Sequence, residues 1–222
     1  MNDLVKIYNN ISKEYDNKYK SNVHLVEDNI IGDIIKSNMD NNDYVLDVGC
    51  GTGHIITLAN LKKDRYLGID FSEGMILDAR LKYPDYNFIA KDITTMNSNK
   101  VNYNFDVILA IYGQVNYIGI EGFCDILKTH GTKNVKYLAV IYSGKGHKDY
   151  DYTKEHQKYF KPNDIIDRMK LKGFETYVKG FSYYTSEDKF TYDNQIKKTL
   201  DNTMSDGNEN DCKYLLVSNF KF

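Results

Sequence analysis

Val45-Leu46-Asp47-Val48-Gly49-Cys50-Gly51-Thr52-Gly53 decides the fold: an apolar strand runs into an acidic residue and then three alternating glycines. Glycine tolerates positive φ and close backbone approach, so Gly49, Gly51 and Gly53 let a small ligand lie against a strand-to-helix turn. The glycine fingerprint GxGxxG serves a pyrophosphate, whose negative charge Asp47 repels at short range. Here the third glycine also comes one place early. The ligand this turn suits carries a positive charge.

An ammonium group and a ribose together satisfy the carboxylate and the glycines, and S-adenosylmethionine has that chemistry. Seventeen residues past Gly53, the run Tyr66-Leu67-Gly68-Ile69 ends in Asp70, placed as an acid at the end of a second strand to hold ribose hydroxyls. Ser72 then caps a helix. At this point the chain resembles the class I (Rossmann-like) S-adenosylmethionine-dependent methyltransferases of small-molecule type. DVGCGTG, ending at Gly53, is similar to their first motif, and GIDFSEGM, ending at Met75, to their second. Phe88-Ile89-Ala90-Lys91-Asp92-Ile93 resembles the third, and Phe105 to Ile111 followed by Tyr112-Gly113-Gln114-Val115-Asn116-Tyr117 the fourth. Tyr159-Phe160-Lys161-Pro162 and Lys172-Gly173-Phe174-Glu175 resemble the last helix and the strand after it.

The resemblance implies roles residue by residue. Asp47 with the backbone of Gly49, Gly51 and Gly53 takes the methionine part, Asp70 the ribose, and Asp92 with Ile93 the adenine. Phe71 and Met75 pack on the adenine ring, and Ile111 completes the cofactor site. Ile11-Ser12-Lys13-Glu14-Tyr15-Asp16 is similar to a helix segment whose tyrosine, here Tyr15, closes over the methionine carboxylate.

Outside those motifs, unbroken apolar runs at 44–48, 65–70, 87–90, 105–111 and 135–142 read as strands covered on both faces. Leu4, Tyr8, Ile11, Tyr15 and Tyr19, then Val23, Val26, Ile30, Ile31 and Ile34, recur at helical spacing. Two helices therefore precede the sheet, and helical stretches alternate with the strands after it. The fold class is α/β: a doubly wound, three-layer sandwich around a mostly parallel sheet. Residues 174–184 and 212–222 read as two final strands, an antiparallel pair in the resembled family that brings the sheet to seven. Pro162 and Gly173 bracket a helix. One domain is expected over 1–222, with a helical cap at 1–40, a cofactor-binding half at 41–143 and a substrate-side half at 144–222. An insertion at about 185–211 reads as a lid or a loop.

Three cysteines with no CxxC pair argue against disulfides and structural zinc, and the five histidines share no ligand spacing, so no metal is expected. A net charge of −2 with interspersed signs argues against a nucleic-acid partner. With no signal-like amino terminus and no long apolar run, a cytoplasmic protein without membrane contact is expected, as a monomer or homodimer.

The expected activity is methyl transfer to a nitrogen or oxygen of a small molecule by in-line displacement. Acceptor-side residues follow from ligands sitting outside the carboxyl ends of parallel strands: Tyr112, Gln114 and Asn116 after strand four, Tyr142 and Tyr152 after strand five. His147 and His156 are the base candidates by position. Tyr150, Tyr152, Tyr159, Phe160, Tyr183 and Tyr184 form a candidate cage for an amine or a flat ring. Alternatives are an RNA or protein methyltransferase, a non-catalytic cofactor sensor or partner subunit, and, more distantly, an NAD-dependent dehydrogenase. Ala110-Ile111-Tyr112-Gly113 lacks the Asn/Asp-Pro-Pro-aromatic run used for exocyclic amines of DNA.

Overall fold

The computed structural model describes residues 2–19, 22–96, 104–112, 114–142, 156–182, 204–205 and 212–220. Helices α1 (Asn2–Tyr15) and α2 (Asn22–Asn38) come first. The alternating body follows: β1 (Val45–Val48), α3 (His54–Leu58), β2 (Tyr66–Asp70), α4 (Glu73–Lys82), β3 (Asn87–Ala90), β4 (Phe105–Ala110), α5 (Gln114–His130) and β5 (Gly131–Tyr142). The chain ends with α6 (Pro162–Leu171), β6 (Tyr177–Ser182), β7 (Met204–Ser205) and β8 (Cys212–Ser218).

All strands join one sheet in the order β3-β2-β1-β4-β5-β8-β6-β7. The first five pair in parallel, and β8 runs antiparallel between β5 and β6. The expected seven strands are thus present with an eighth, two residues long, pairing with β6 as Gly180↔Ser205 and Phe181↔Met204. It falls inside the 185–211 insertion, the rest of which lies outside the described residues. Strand β5 begins at Gly131 rather than 135, because β4 recruits that polar start across a bulge between Phe105 and Val107.

Side chains of period two divide the core. On β5, Tyr137, Ala139 and Ile141 face α5 and α6, where Phe123, Ile165 and Met169 are fully buried. Leu138, Val140 and Tyr142 face the layer of α2, α3 and α4, against Ile31, Ile35, Ile55 and Ile76. Strand order reverses between β1 and β4, which opens a crevice at their carboxyl ends. Helix α6 starts with Pro162 and is followed by Gly173 at φ 89°, the expected capping asymmetry.

Gly32 sets how closely α2 approaches α3. A Cβ there would lie 2.6 Å from the Leu58 carbonyl oxygen, a backbone atom that cannot swing away. Gly32→Ala is therefore expected to lower unfolding free energy by about 1–3 kcal/mol through overpacking, read as a shifted urea midpoint. A midpoint raised by better helix propensity would contradict that packing.

Candidate functional site

The turn after β1 is held in shape by β2. The amides of Gly49 and Cys50 both donate to the Ile69 carbonyl, at 2.7 and 3.1 Å. Gly49, Gly51 and Gly53 sit at φ 72°, 52° and 82°, a region costly for any side chain. Their surroundings differ. A Cβ on Gly49 would run into the Gln114 side chain, and one on Gly53 would press on the Tyr83 ring at 3.0 Å. A Cβ on Gly51 would meet nothing within 4 Å. Gly51 is the glycine that keeps the floor of the crevice open.

Two carboxylates flank this floor. Asp70, at the end of β2, accepts from the Gly51 amide at 3.0 Å and the Ser72 amide at 2.8 Å. Burial nonetheless lifts it to about 6, with those two amides opposing the rise. Asp47 is 2% exposed and accepts from the Tyr66 hydroxyl at 2.7 Å. Burial pushes it up to about 7, opposed by that hydroxyl and assisted by the negative charge of Asp70. Positive charge or hydroxyl donors placed beside either group favour its carboxylate form.

The crevice is a cleft of about 360 Å³, and α1 closes one side of it. Asn9 Oδ1 accepts from Ser72 Oγ at 2.7 Å and from the Gly74 amide at 3.0 Å. Ser72 also caps α4, as its position after Asp70 predicts. Asp16, just past α1, accepts from Thr52 Oγ1 at 2.6 Å and pairs with Lys82. So anchored, α1 brings Tyr8 and Tyr15 to the cleft. The Tyr8 ring meets Phe71 edge-on at 5.5 Å, and its hydroxyl lies 2.9 Å from that of Tyr117. Met75 lies beneath, 1% exposed.

The opposite wall comes from Ile111, Tyr112 and Gln114 after β4, with Asp28 of α2 and His54 of α3. Tyr112 adopts φ 61°, a strained backbone for a bulky residue. Its hydroxyl donates to Asp28, whose other oxygen lies 2.7 Å from His54 Nε2.

Thus Tyr15, Asp47, Gly49, Gly51, Asp70, Phe71, Met75, Ile111, Tyr112 and Gln114 converge on one cleft. Other expected site residues do not line it. Gly53 is covered by Tyr83. Asp92 spends Oδ1 on the Thr94 amide and hydroxyl at 2.9 and 2.7 Å, capping its own short turn. Ile93 is buried in the core on the α5 face. Asn116, placed by sequence at the acceptor, is instead a buried clamp. Its Nδ2 donates to the carbonyls of Tyr142 and Lys158 at 3.0 and 2.7 Å, and its Oδ1 accepts from the Tyr142 amide at 2.8 Å. Tyr142 packs into the core on the α2 face, and His156 stands away from the cleft lining.

His147, Tyr150, Tyr152, Tyr183 and Tyr184 lie outside the described residues. Of the expected cage, Tyr159 is exposed and donates to Gln157, and Phe160 lies under Arg168. The aromatic cluster in the cleft is a different one, centred on Tyr8.

Asp28 and His54 were missed by sequence reasoning, although Asp28 carried a signal. It shares a helix face with Ile31, Gly32 and Ile35, at i+3, i+4 and i+7, so an apolar stripe delivers a carboxylate to the buried side. His54 carried none. Among the described residues, no three His, Cys, Asp or Glu side chains are grouped to hold a metal, and no helix is long and apolar enough to cross a membrane.

Known proteins share this arrangement of elements. A SAM-dependent methyltransferase of Thermotoga maritima, described as a possible histamine N-methyltransferase, superposes with a TM-score of 0.69 at 14% identity, covering 98% of this chain and 99% of that one. The protein MJ1252 of Methanocaldococcus jannaschii is 29% identical over 122 residues, 53% of this chain and 43% of its own length. Trans-aconitate 2-methyltransferase of Escherichia coli (strain 55989 / EAEC) is 42% identical over 57 residues, 25% of this chain and 23% of its own. The chain thus spans less than half the length of these curated relatives. Residues 39–165, more than half of the 222, match the model of a methyltransferase domain family, and the chain belongs to that family.

Proposed function

We propose that the cleft binds S-adenosylmethionine and that the protein moves its methyl group to a nitrogen or oxygen of a small molecule. One observation carries this reading: the open backbone at Gly51 lies directly beside the Asp70 carboxylate and within the same crevice as buried Asp47. A carboxylate accepts at about four lone-pair positions, and the two amides on Asp70 leave the others for ribose hydroxyls. Asp47 and the Gly49–Gly51 backbone take the methionine part, Phe71 and Met75 the adenine, and Tyr15 closes the methionine end. Tyr112 and Gln114 face the acceptor. In this reading the whole chain works as one domain, with residues 1–40 as its cap, and no metal takes part.

The sulfonium supplies an activated methyl and a good leaving group. What the protein adds is position: holding the acceptor about 3 Å from the methyl carbon, in line and away from water. The aromatic cover of Tyr8, Tyr15 and Phe71 serves that exclusion.

Labelled S-adenosylmethionine incubated with fractionated cell extract, followed by mass analysis of whatever gains one methylene, tests the activity. Label in small molecules is expected. Label in RNA or protein alone would transfer the assignment to the macromolecular reading, and none anywhere would leave a cofactor sensor. Asp70→Ala is expected to weaken S-adenosylhomocysteine binding by about 1–3 kcal/mol without unfolding the protein. Unchanged affinity would remove its ribose role.

A further inference from the structure

The wall opposite α1 contains a hydrogen-bonded chain for which the cofactor contacts above have no use. Asp28, 3% exposed, accepts from the Tyr112 hydroxyl at one oxygen and lies 2.7 Å from His54 Nε2 at the other. The three residues come from α2, the segment after β4, and the start of α3, and all line the cleft. Burial and the charges of Asp28 and Glu27 hold the Tyr112 hydroxyl well above 10, so it stays a donor. As a carboxylate Asp28 only accepts, so His54 presents Nε2–H to it and keeps its lone pair at Nδ1. The imidazole is about half exposed, 49%, on the cleft side of a buried partner. That is the arrangement of an oriented base.

We propose that His54, oriented by Asp28 and Tyr112, is the base that takes the proton of an amine acceptor. This rests on the methyl-transfer reading and adds the acceptor class. The ionisable groups lining this side of the cleft are Asp28 and His24 of α2, Asp47 of β1, and Tyr112; Asp70 and the Asp16–Lys82 pair line the rest of it, and Glu27 is fully buried. The Asp28 carboxylate at this wall favours approach of a cation and disfavours an anionic acceptor. An amine arrives as its ammonium and has no lone pair until a proton leaves. That proton passes to His54 Nδ1. The freed nitrogen pair then forms the N–C bond to the methyl carbon as the C–S bond breaks, its electrons staying on sulfur. His54 afterwards returns the proton to solvent. Asp28 and Tyr112 touch no reacting atom and are positioning residues.

The test uses the full chain as wild type, His54→Gln, Asp28→Asn and Tyr112→Phe. Calorimetry with S-adenosylhomocysteine reads the cofactor site. Labelled methyl transfer to the cation-exchange-retained small molecules of the extract reads turnover, and nitrogen NMR of the imidazole reads which ring nitrogen carries the proton, without any acceptor. The expected result is unchanged S-adenosylhomocysteine affinity in His54→Gln with kcat reduced about 10²- to 10⁴-fold. Asp28→Asn is expected to lower kcat with KM little changed and to move the imidazole proton off Nε2 in the NMR signal.

Wild-type kcat in His54→Gln, an unmoved imidazole signal in Asp28→Asn, or label confined to anionic molecules would overturn the proposal. Loss of S-adenosylhomocysteine binding in His54→Gln alone would also overturn it, making His54 a cofactor ligand. Wild type that binds no S-adenosylhomocysteine would defeat the methyl-transfer reading itself, and this proposal with it.

Discussion

Asp47→Asn is expected to raise the thermal midpoint of the ligand-free protein, and to raise it more as pH climbs from 4 to 8. Asp47 titrates near 7 in the folded chain against an ordinary 3.8. Its neutral form is therefore favoured by folding and its charged form disfavoured. The sign follows: between those two values the folded state holds the proton and the unfolded state has released it, so stability falls as pH rises. At about 1.4 kcal/mol per pH unit the lift corresponds to on the order of 4 kcal/mol, fully present below pH 4 and lost above 7. Asp70, lifted to about 6, adds to the same slope in both proteins. Asparagine keeps an acceptor for the Tyr66 hydroxyl and has no charge to bury. The midpoint difference between variant and wild type is expected to widen by roughly 10 °C across that range. A difference constant with pH would show that Asp47 is not held protonated by its surroundings.

The cost that this predicts has a functional counterpart. A ligand carrying an ammonium group restores what burial takes from Asp47, so the same substitution that stabilises the empty protein is expected to weaken binding of the zwitterionic cofactor more than binding of adenosine. Equal losses for the two ligands would count against an ammonium contact.

Asn116→Ala is expected to lower unfolding free energy by about 3–5 kcal/mol, because it strands three backbone groups at once. Asn116 is fully buried and joins the end of β5 to the segment before α6 through Tyr142 and Lys158. The Lys158 amide also donates to the Asn116 carbonyl at 2.7 Å, so the backbone partly preserves the junction. Urea unfolding with S-adenosylhomocysteine titration of the folded variant separates two roles. Lost stability with retained cofactor affinity is the outcome for a clamp. Unchanged stability with a raised acceptor KM would return Asn116 to the substrate pocket.

Asn116 also shows where sequence reading stops. Its place after β4 is right for an acceptor residue, and its side chain points to a different use because a buried strand end needs amide partners. Local chemistry was legible. The Gly49-Cys50-Gly51 turn, the Asp70 and Ser72 pair, and Pro162 with Gly173 each act within a few residues, and the sheet's buried strands announce themselves as apolar runs. What was not legible depends on separation in the chain. Tyr112 meets Asp28 across 84 residues and Asp28 meets His54 across 26, and no periodicity in either segment encodes that meeting. The start of β5 was missed for a related reason: Gly131-Thr132-Lys133-Asn134 is polar and reads as a loop, and only the edge of β4 makes it a strand.

The central claim is that a carboxylate-flanked glycine turn at the β1–β4 switch holds an amino-acid nucleoside. Parallel calorimetric titrations of the wild-type chain with S-adenosylhomocysteine and with NAD test it most directly. Saturable one-to-one binding of S-adenosylhomocysteine with no heat from NAD is the result predicted. Heat from NAD alone, or from neither ligand, would contradict the account.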